Sequence, residues 1–174
     1  MDKTAIRRHI REQKRLLTDA DKAAAEQSVI QQLESLPAFA NAQKILLYNS
    51  LPDELPTTEM LRRWHATKDL YLPRVSGEEL EILRYAPDAV IPGAYNIYEP
   101  VGEAITDKSI IELIIVPAIA FDRHGNRIGR GKGYYDRLLC RTSALKIGIC
   151  YAFQLIPDFS PDAHDIPVDM VITP

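Results

Sequence analysis

Apolar residues follow two patterns along this chain of 174 residues. Near the start they recur at helical spacing. Ile6, Ile10 and Leu17 fall on one stripe at 3.6 residues per turn, and Lys3, Arg7, Arg11 and Lys14 fall on the stripe beside it. Asp2 stands at an N-cap position, so a first helix is predicted to about residue 17. Thr18 with Asp21 marks the cap of a second helix, rich in Ala and Gln, that ends near Pro37. Beyond residue 43 the pattern changes to short runs of Ile, Val and Leu. These predict strands at 44–48, 70–73, 80–85, 113–116, 146–151 and 170–173, with helices at 57–65, capped by Thr57, and at 134–141. Such strands alternating with helices point to the α/β class: a single domain over residues 1–174, with a largely parallel sheet and helices on both faces. Ligands on such sheets bind beyond the carboxyl ends of the strands. That assigns segments 49–54, 118–136 and 151–154 to one rim.

Composition narrows the picture by exclusion. Lys plus Arg is 21 against 24 for Asp plus Glu, a near balance that argues against general binding to nucleic acid or to a membrane surface. No apolar run approaches transmembrane length and the N-terminal segment lacks a signal-peptide core, so a cytoplasmic protein is expected. Cys140 and Cys150 read as small buried hydrophobes without zinc or redox spacing. No Ser/His/Asp or Cys/His constellation presents itself, and His124 and His164 lack a visible partner for nucleophilic or zinc chemistry.

The densest chemistry follows the strand at 113–116. Pro117 ends an apolar run, and Gly129, Gly131 and Gly133 then alternate with Arg130 and Lys132 before Tyr134-Tyr135-Asp136 opens a helix. A strand, a glycine-rich turn and a helix N-terminus form a cradle for anions, because backbone N–H groups can approach a ligand closely. Arg127, Arg130 and Lys132 add charge that a purely structural turn does not need. The spacing matches neither the G-x-x-x-x-G-K-[ST] pattern nor the dinucleotide fingerprint. A carboxylate just past a phosphate cradle, here Asp136, suits Mg²⁺, which takes one or two carboxylates with phosphate oxygens and water.

The stretch Asp122-x-x-Gly125-x-Arg127-Ile128-Gly129-Arg130-Gly131-Lys132-Gly133-Tyr134-Tyr135-Asp136 resembles the signature of the 5-formyltetrahydrofolate cyclo-ligase (5,10-methenyltetrahydrofolate synthetase) family. The resemblance extends along the chain. Lys3-x-x-x-Arg7 is similar to the family's ATP-contacting first helix, and Tyr48-Asn49-Ser50-Leu51-Pro52-Asp53-Glu54-x-x-Thr57 to its folate-side segment. Leu72-Pro73-Arg74, Ile97-Tyr98-Glu99-Pro100, Phe153-Gln154 and His164-Asp165-x-x-Val168-Asp169 are similar to further family pieces, whereas segments 105–109 and 158–163 carry no usable motif.

The resemblance implies a fold akin to the sugar-phosphate isomerase and CoA-transferase sheet. It implies a Mg²⁺-dependent reaction in which ATP drives closure of 5-formyltetrahydrofolate to 5,10-methenyltetrahydrofolate, with ADP and phosphate released. ATP would be held by Lys3, Arg7, Arg127, Gly129, Arg130, Gly131, Lys132, Gly133, Tyr134 and Tyr135. The folate would meet Arg7, Asn49, Glu54, Arg130, Gly131, Lys132, Gly133 and Tyr134. Arg130, Lys132 and Tyr134 would act in catalysis, and Asp136 and Asp169 would hold Mg²⁺ directly or through water. Asp169 can equally be read as a strand-edge charge, Glu54 as an acid approaching the helix at Thr57, and one of Tyr134 and Tyr135 as a packing residue. A monomer is expected. The competing readings are an ATP-using kinase or ligase for another carboxylated substrate, and a non-catalytic phosphate sensor.

Overall fold

In the computed structural model, which describes residues 2–92 and 98–174, helices α1 (Lys3–Lys14), α2 (Asp19–Glu34) and α3 (Pro37–Asn41) lead into strand β1 (Lys44–Leu46). Helix α4 (Thr58–Trp64) precedes β2 (Asp69–Ser76) and β3 (Glu79–Arg84). Short strands β4 (Val90–Pro92) and β5 (Tyr98–Pro100) follow, then β6 (Leu113–Val116), β7 (Ala120–Phe121), β8 (Arg127–Ile128), α5 (Tyr134–Leu139), β9 (Leu145–Ile149) and β10 (Met170–Ile172). Six strands form one sheet in the order β10-β9-β6-β1-β2-β3. All neighbours are parallel except β2 and β3. Only Gly77 and Glu78 lie between those two, far too few for a crossover, so the chain must turn back as a hairpin. The six runs expected from the sequence are these six strands. The pairs β4–β5 and β7–β8 are additional two-stranded ribbons. Of the quoted Ile97-Tyr98-Glu99-Pro100 segment, Ile97 lies outside the described residues.

Alternation along the central strands divides the core. Ile45, Leu47, Leu70, Leu72, Leu113, Ile115, Ile147 and Ile149 share a cluster with Val29, Ile30 and Leu33 of α2, Phe39 of α3 and Met60 and Trp64 of α4. Leu46, Tyr71, Ile82, Ile114, Val116 and Cys150 fall in a second cluster with Leu138 and Leu139 of α5 and with Phe121. Each fully buried aliphatic chain contributes about 1.5–3 kcal/mol over an exposed one, so both faces must be covered. A third, smaller cluster joins Ile6 and Ile10 of α1 to Ala120 and Ile128, and it docks the first helix beside the glycine loop.

Local capping follows the sequence at α1, where Asp2 accepts from Ala5 N at 2.7 Å, and at α2, where Thr18 and Asp21 form a capping box. It departs at α4. The Thr57 hydroxyl donates to Tyr48 O at 2.6 Å, and the first-turn N–H groups of Glu59 and Met60 instead donate to Glu26 Oε1 of α2. Helix α1 stops at Lys14 rather than near residue 17. Cys150 is buried as expected, but Cys140 is exposed on α5.

Candidate active site

The carboxyl ends of β1 and β6 open into a cavity of about 1100 Å³. One wall is the loop from Arg127 to Asp136, and another is the segment from Tyr48 to Glu54. Pro73, Val75 and Leu80 of the β2–β3 hairpin supply an apolar wall, and α1 closes one side with Lys3 and Arg7. Asn49, Glu54, Arg127, Gly129, Arg130, Gly131, Lys132, Gly133, Tyr134, Tyr135 and Asp136 all line this space, together with Lys3 and Arg7. Asp169 does not. It precedes β10 and bonds the start of β9, accepting from Lys146 N at 2.8 Å through Oδ2, so it sits at the amino end of the parallel strands. The strand-edge reading of Asp169 is the one its geometry supports.

Buried turns fix the loop. Asp122, wholly buried, accepts from His124 N, Asn126 N and Asn126 Nδ2 within 3.0 Å, and Val168 N donates to Gly125 O at 2.9 Å. Asp122 is thus a turn anchor. Arg127 follows on β8, 7% exposed. Its Nη2 lies 3.1 Å from Asp136 Oδ1, its guanidinium sits 5.6 Å from the Tyr135 ring centroid, and its buried Nε has no hydrogen-bond partner among the described residues. A buried guanidinium nitrogen without an acceptor is costly, and the packing of Tyr135 and Asp136 around the guanidinium holds it there. A Cβ on Gly129 would lie 2.9 Å from Arg127 Nη1, so a side chain there would push the guanidinium aside. Gly133 takes φ +69° at the N-cap of α5. Helix α5 has only six residues, so fixed side-chain charges, more than a long helix dipole, set the potential here.

The cations differ in how they are held. Lys132 is exposed and forms no ion pair among the described residues. Arg130 Nη2 bonds Asp53 Oδ1 at 2.8 Å and reaches Glu54 Oε1 at 3.4 Å. Arg7 Nε donates to Gly129 O at 3.0 Å. Lys3 is ion-paired with Asp162 and, at 3.0 Å, with Asp165; burial pulls its ammonium down, but the two carboxylates more than offset this and hold it above the ordinary lysine range. Burial works against ionisation of Asp165 too, yet hydrogen bonding from Asp162 N and the charge of Lys3 hold its carboxyl below the usual range. Tyr134 and Tyr135 both pack against the α5 side of the core and both line the cleft; burial pushes the Tyr135 phenol up, and Tyr134 Oη reaches Gly77 O at 3.4 Å.

Segment 151–154 braces the rim and does not line it. Tyr151 Oη donates to Glu54 O at 3.2 Å, and Gln154 Nε2 donates to Ala118 O and Ile119 O at 3.0 Å each. Sequence reasoning missed the hairpin wall, Asp53, and the pair Asp162 and Asp165. Asp162 comes from a segment without a motif. Asp165 belongs to the His164-Asp165-x-x-Val168-Asp169 segment, four residues before Asp169.

A mostly parallel sheet whose carboxyl edge opens into a charged cleft, with a glycine-rich cationic loop as one wall, defines an α/β protein with its candidate site at that edge. The sequence profile of the 5-formyltetrahydrofolate cyclo-ligase family matches residues 1–174, and the chain belongs to that family. It is 31% identical over 173 residues to the 5-formyltetrahydrofolate cyclo-ligase of Haemophilus influenzae, covering 94% of this chain and 92% of the relative. It is 29% identical over 175 residues to that of Escherichia coli K12, covering 95% and 96%. Among solved structures, the NMR structure of Aquifex aeolicus 5,10-methenyltetrahydrofolate synthetase matches with a TM-score of 0.88 at 38% identity, over 98% of this chain and 89% of that one. The Mycoplasma pneumoniae 5,10-methenyltetrahydrofolate synthetase matches with a TM-score of 0.77 at 26% identity, over 99% of each. Among the described residues no helix is long and apolar enough to cross a membrane.

Proposed function

We propose that this protein is an ATP-dependent 5-formyltetrahydrofolate cyclo-ligase that produces 5,10-methenyltetrahydrofolate, ADP and phosphate, acting as a cytoplasmic monomer over residues 1–174. The observation that carries the reading is the convergence, in one cavity of about 1100 Å³, of the cationic loop 127–136 with the Asn49–Glu54 segment. That volume exceeds the usual range of a single small-molecule pocket and suits two ligands side by side.

A formamide carbon is a poor electrophile, and its oxygen is a poor leaving group. In the proposed reaction the formyl oxygen attacks the γ-phosphorus and the bond to the ADP oxygen breaks. The second folate nitrogen then attacks the activated carbon, loses its proton, and the carbon–oxygen bond breaks to release phosphate. Such chemistry asks the protein for positioning and charge neutralisation. Arg127, which lines the cleft, and Lys132, with no ion pair among the described residues, are the groups assigned to phosphate oxygens. Arg130 bridges to Glu54, whose carboxylate can accept paired hydrogen bonds from a pterin edge, and Pro73, Val75 and Leu80 offer an apolar face to aromatic rings.

Mg²⁺ accompanying ATP requires one or two carboxylates beside the phosphates. Asp136, at the end of the glycine loop and lining the cleft, is the first candidate. Asp165 is the fitting second in place of Asp169: both line the cleft, and Ile166 N, next in the chain, donates to Asp136 Oδ1 at 3.2 Å. When bound there, Mg²⁺ would neutralise phosphate charge. The test is the absorbance rise of the methenylfolate band when purified protein receives 5-formyltetrahydrofolate with MgATP. The expected outcome is a rise with ATP and none without it, and no rise in either case removes the reading.

A further inference from the structure

Beside the main cleft, and sharing Arg7, Asp53 and Arg130 with it, lies a second cavity of about 150 Å³. Four cations line it, Arg7, Arg11, Lys14 and Arg130, against one carboxylate, Asp53. Lys14 is the unusual member. Its side chain is 4% exposed, yet its ammonium makes a single contact, 3.4 Å to Asp53 Oδ2. An ammonium carries three hydrogens to donate, so two have no protein acceptor among the described residues. Asp53 is itself shared, because its other oxygen takes Arg130 Nη2 at 2.8 Å. Arg11 forms no ion pair among the described residues. Burial pulls the Lys14 ammonium below the ordinary lysine range, and the nearby carboxylate only partly offsets this. Buried charges are normally paired and fully hydrogen-bonded, and this one has a single long contact to a carboxylate that it shares with Arg130.

We infer that the side cavity is an oxyanion subsite, in which one carboxylate or phosphate group sits among Lys14, Arg11 and Arg7. The cavity falls well below the roughly 300 Å³ at which pockets begin to take whole small molecules, so it suits one charged group and not a nucleotide or a pterin. Because it shares walls with the main cleft, a group carried on a ligand there can reach into it. Resting on the cyclo-ligase reading, the two sources of such a group are a glutamyl carboxylate of the folate and the phosphate released in the reaction.

The test is calorimetric titration of the full chain with two probes, p-aminobenzoylglutamate and inorganic phosphate, in the parent protein and in Lys14→Met, Arg11→Gln and Lys132→Ala. Loss of a charge-assisted hydrogen bond predicts about ten- to a hundredfold weaker binding of the occupant in Lys14→Met, and a smaller weakening in Arg11→Gln. Binding that weakens in Lys132→Ala but not in Lys14→Met or Arg11→Gln belongs to the main cleft and counts against the subsite. Weakening in Lys14→Met and Arg11→Gln with p-aminobenzoylglutamate supports a carboxylate occupant, and with phosphate a phosphate occupant. If both probes bind Lys14→Met and Arg11→Gln as tightly as the parent, or neither binds the parent at millimolar concentration, the subsite is overturned. Should Lys14→Met lose its fold by circular dichroism, Arg11→Gln, altered only at an exposed side chain, decides alone. Methenylfolate formation is measured separately. A chain that forms none but binds a probe through Lys14 keeps the subsite and loses the function, whereas an active chain whose binding ignores Lys14 and Arg11 loses the subsite only.

Discussion

Arg130 donates from Nη2 to Asp53 Oδ1 at 2.8 Å across 77 positions of chain, joining the glycine loop to the segment that follows β1. The same nitrogen reaches Glu54 Oε1 at 3.4 Å. Burial opposes ionisation of Asp53, but the charges of Lys14 and Arg130 outweigh it and hold the carboxyl below its ordinary range. Two loops from different crossovers are therefore held as one rim at neutral pH, with the proposed phosphate side and folate side in register.

Glu54→Gln should weaken 5-formyltetrahydrofolate binding by about ten- to a hundredfold while leaving ATP affinity almost intact. An amide of equal size offers one acceptor and a repelling donor where the carboxylate offers two acceptors, and charge-assisted hydrogen bonds contribute roughly 1.5–3 kcal/mol. Separate dissociation constants for the two substrates decide it. A parallel loss of both would make Glu54 a structural residue, a role its bond to Leu51 N at 2.8 Å could support.

Lys132→Ala should lower turnover on the order of 100- to 1,000-fold, the usual cost of removing an electrostatic stabiliser of a transferring group. Its side chain is exposed and makes no ion pair among the described residues, so thermal unfolding should hardly shift. Steady-state rates set beside a melting curve give the comparison, and near-normal turnover would take Lys132 out of the phosphate site.

Asp165→Asn and Asp169→Asn separate the two candidate partners of Asp136. The first should raise the Mg²⁺ concentration for half-maximal activity at fixed ATP. The second should leave that concentration unchanged, because Asp169 serves the β9–β10 edge through Lys146 N. Mg²⁺ titration of both variants is the measurement, and the opposite ranking would return the metal role to Asp169.

Glu26 gives a pH prediction. It is 6% exposed, and burial holds its carboxyl above the ordinary range despite hydrogen bonds from Met60 N and Glu59 N. A raised acid is protonated more readily in the native chain than in the unfolded one. Its favourable contribution is therefore complete below the unfolded value and is lost as pH rises through the native one. Glu26→Gln keeps an acceptor for the α4 N–H groups without a charge to bury. Urea unfolding across pH 4 to 7 should show the variant gaining on the parent as pH rises; a constant difference would contradict this.

The division between what was readable in the sequence and what was not follows the range of the forces involved. The six central strands and the α1 and α2 caps rest on periodicity and on contacts within a few residues, so they were visible. The cap of α4 was not, because its acceptor, Glu26, stands 33 residues from Glu59. Thirteen of the fourteen expected site residues line the cleft, since a parallel sheet sends its loops to one edge. Asp169 stands apart from that edge because it precedes its strand and accepts from Lys146 N at the amino end of the sheet. Lys14 looked like one more solvated cation on the basic stripe, and only the docking of α1 buries it.

The ties between α1 and the rest of the cleft also bear on the order of events in folding. Lys3 meets Asp162 and Asp165 across 159 and 162 positions, and Arg7 meets Gly129 across 122. Contacts so distant in sequence form late, after the entropy of closing long loops has been overcome. At typical synthesis rates residue 165 follows residue 3 by roughly 10–30 s. Until residue 128 is made, α1 is a twelve-residue amphipathic helix, too short to be stable alone in water and without the Ala120 and Ile128 surface that receives Ile6 and Ile10. Helix α1 is thus among the last segments to be ordered, and the charged rim comes into being only as the strand-and-loop framework on which that helix docks is completed.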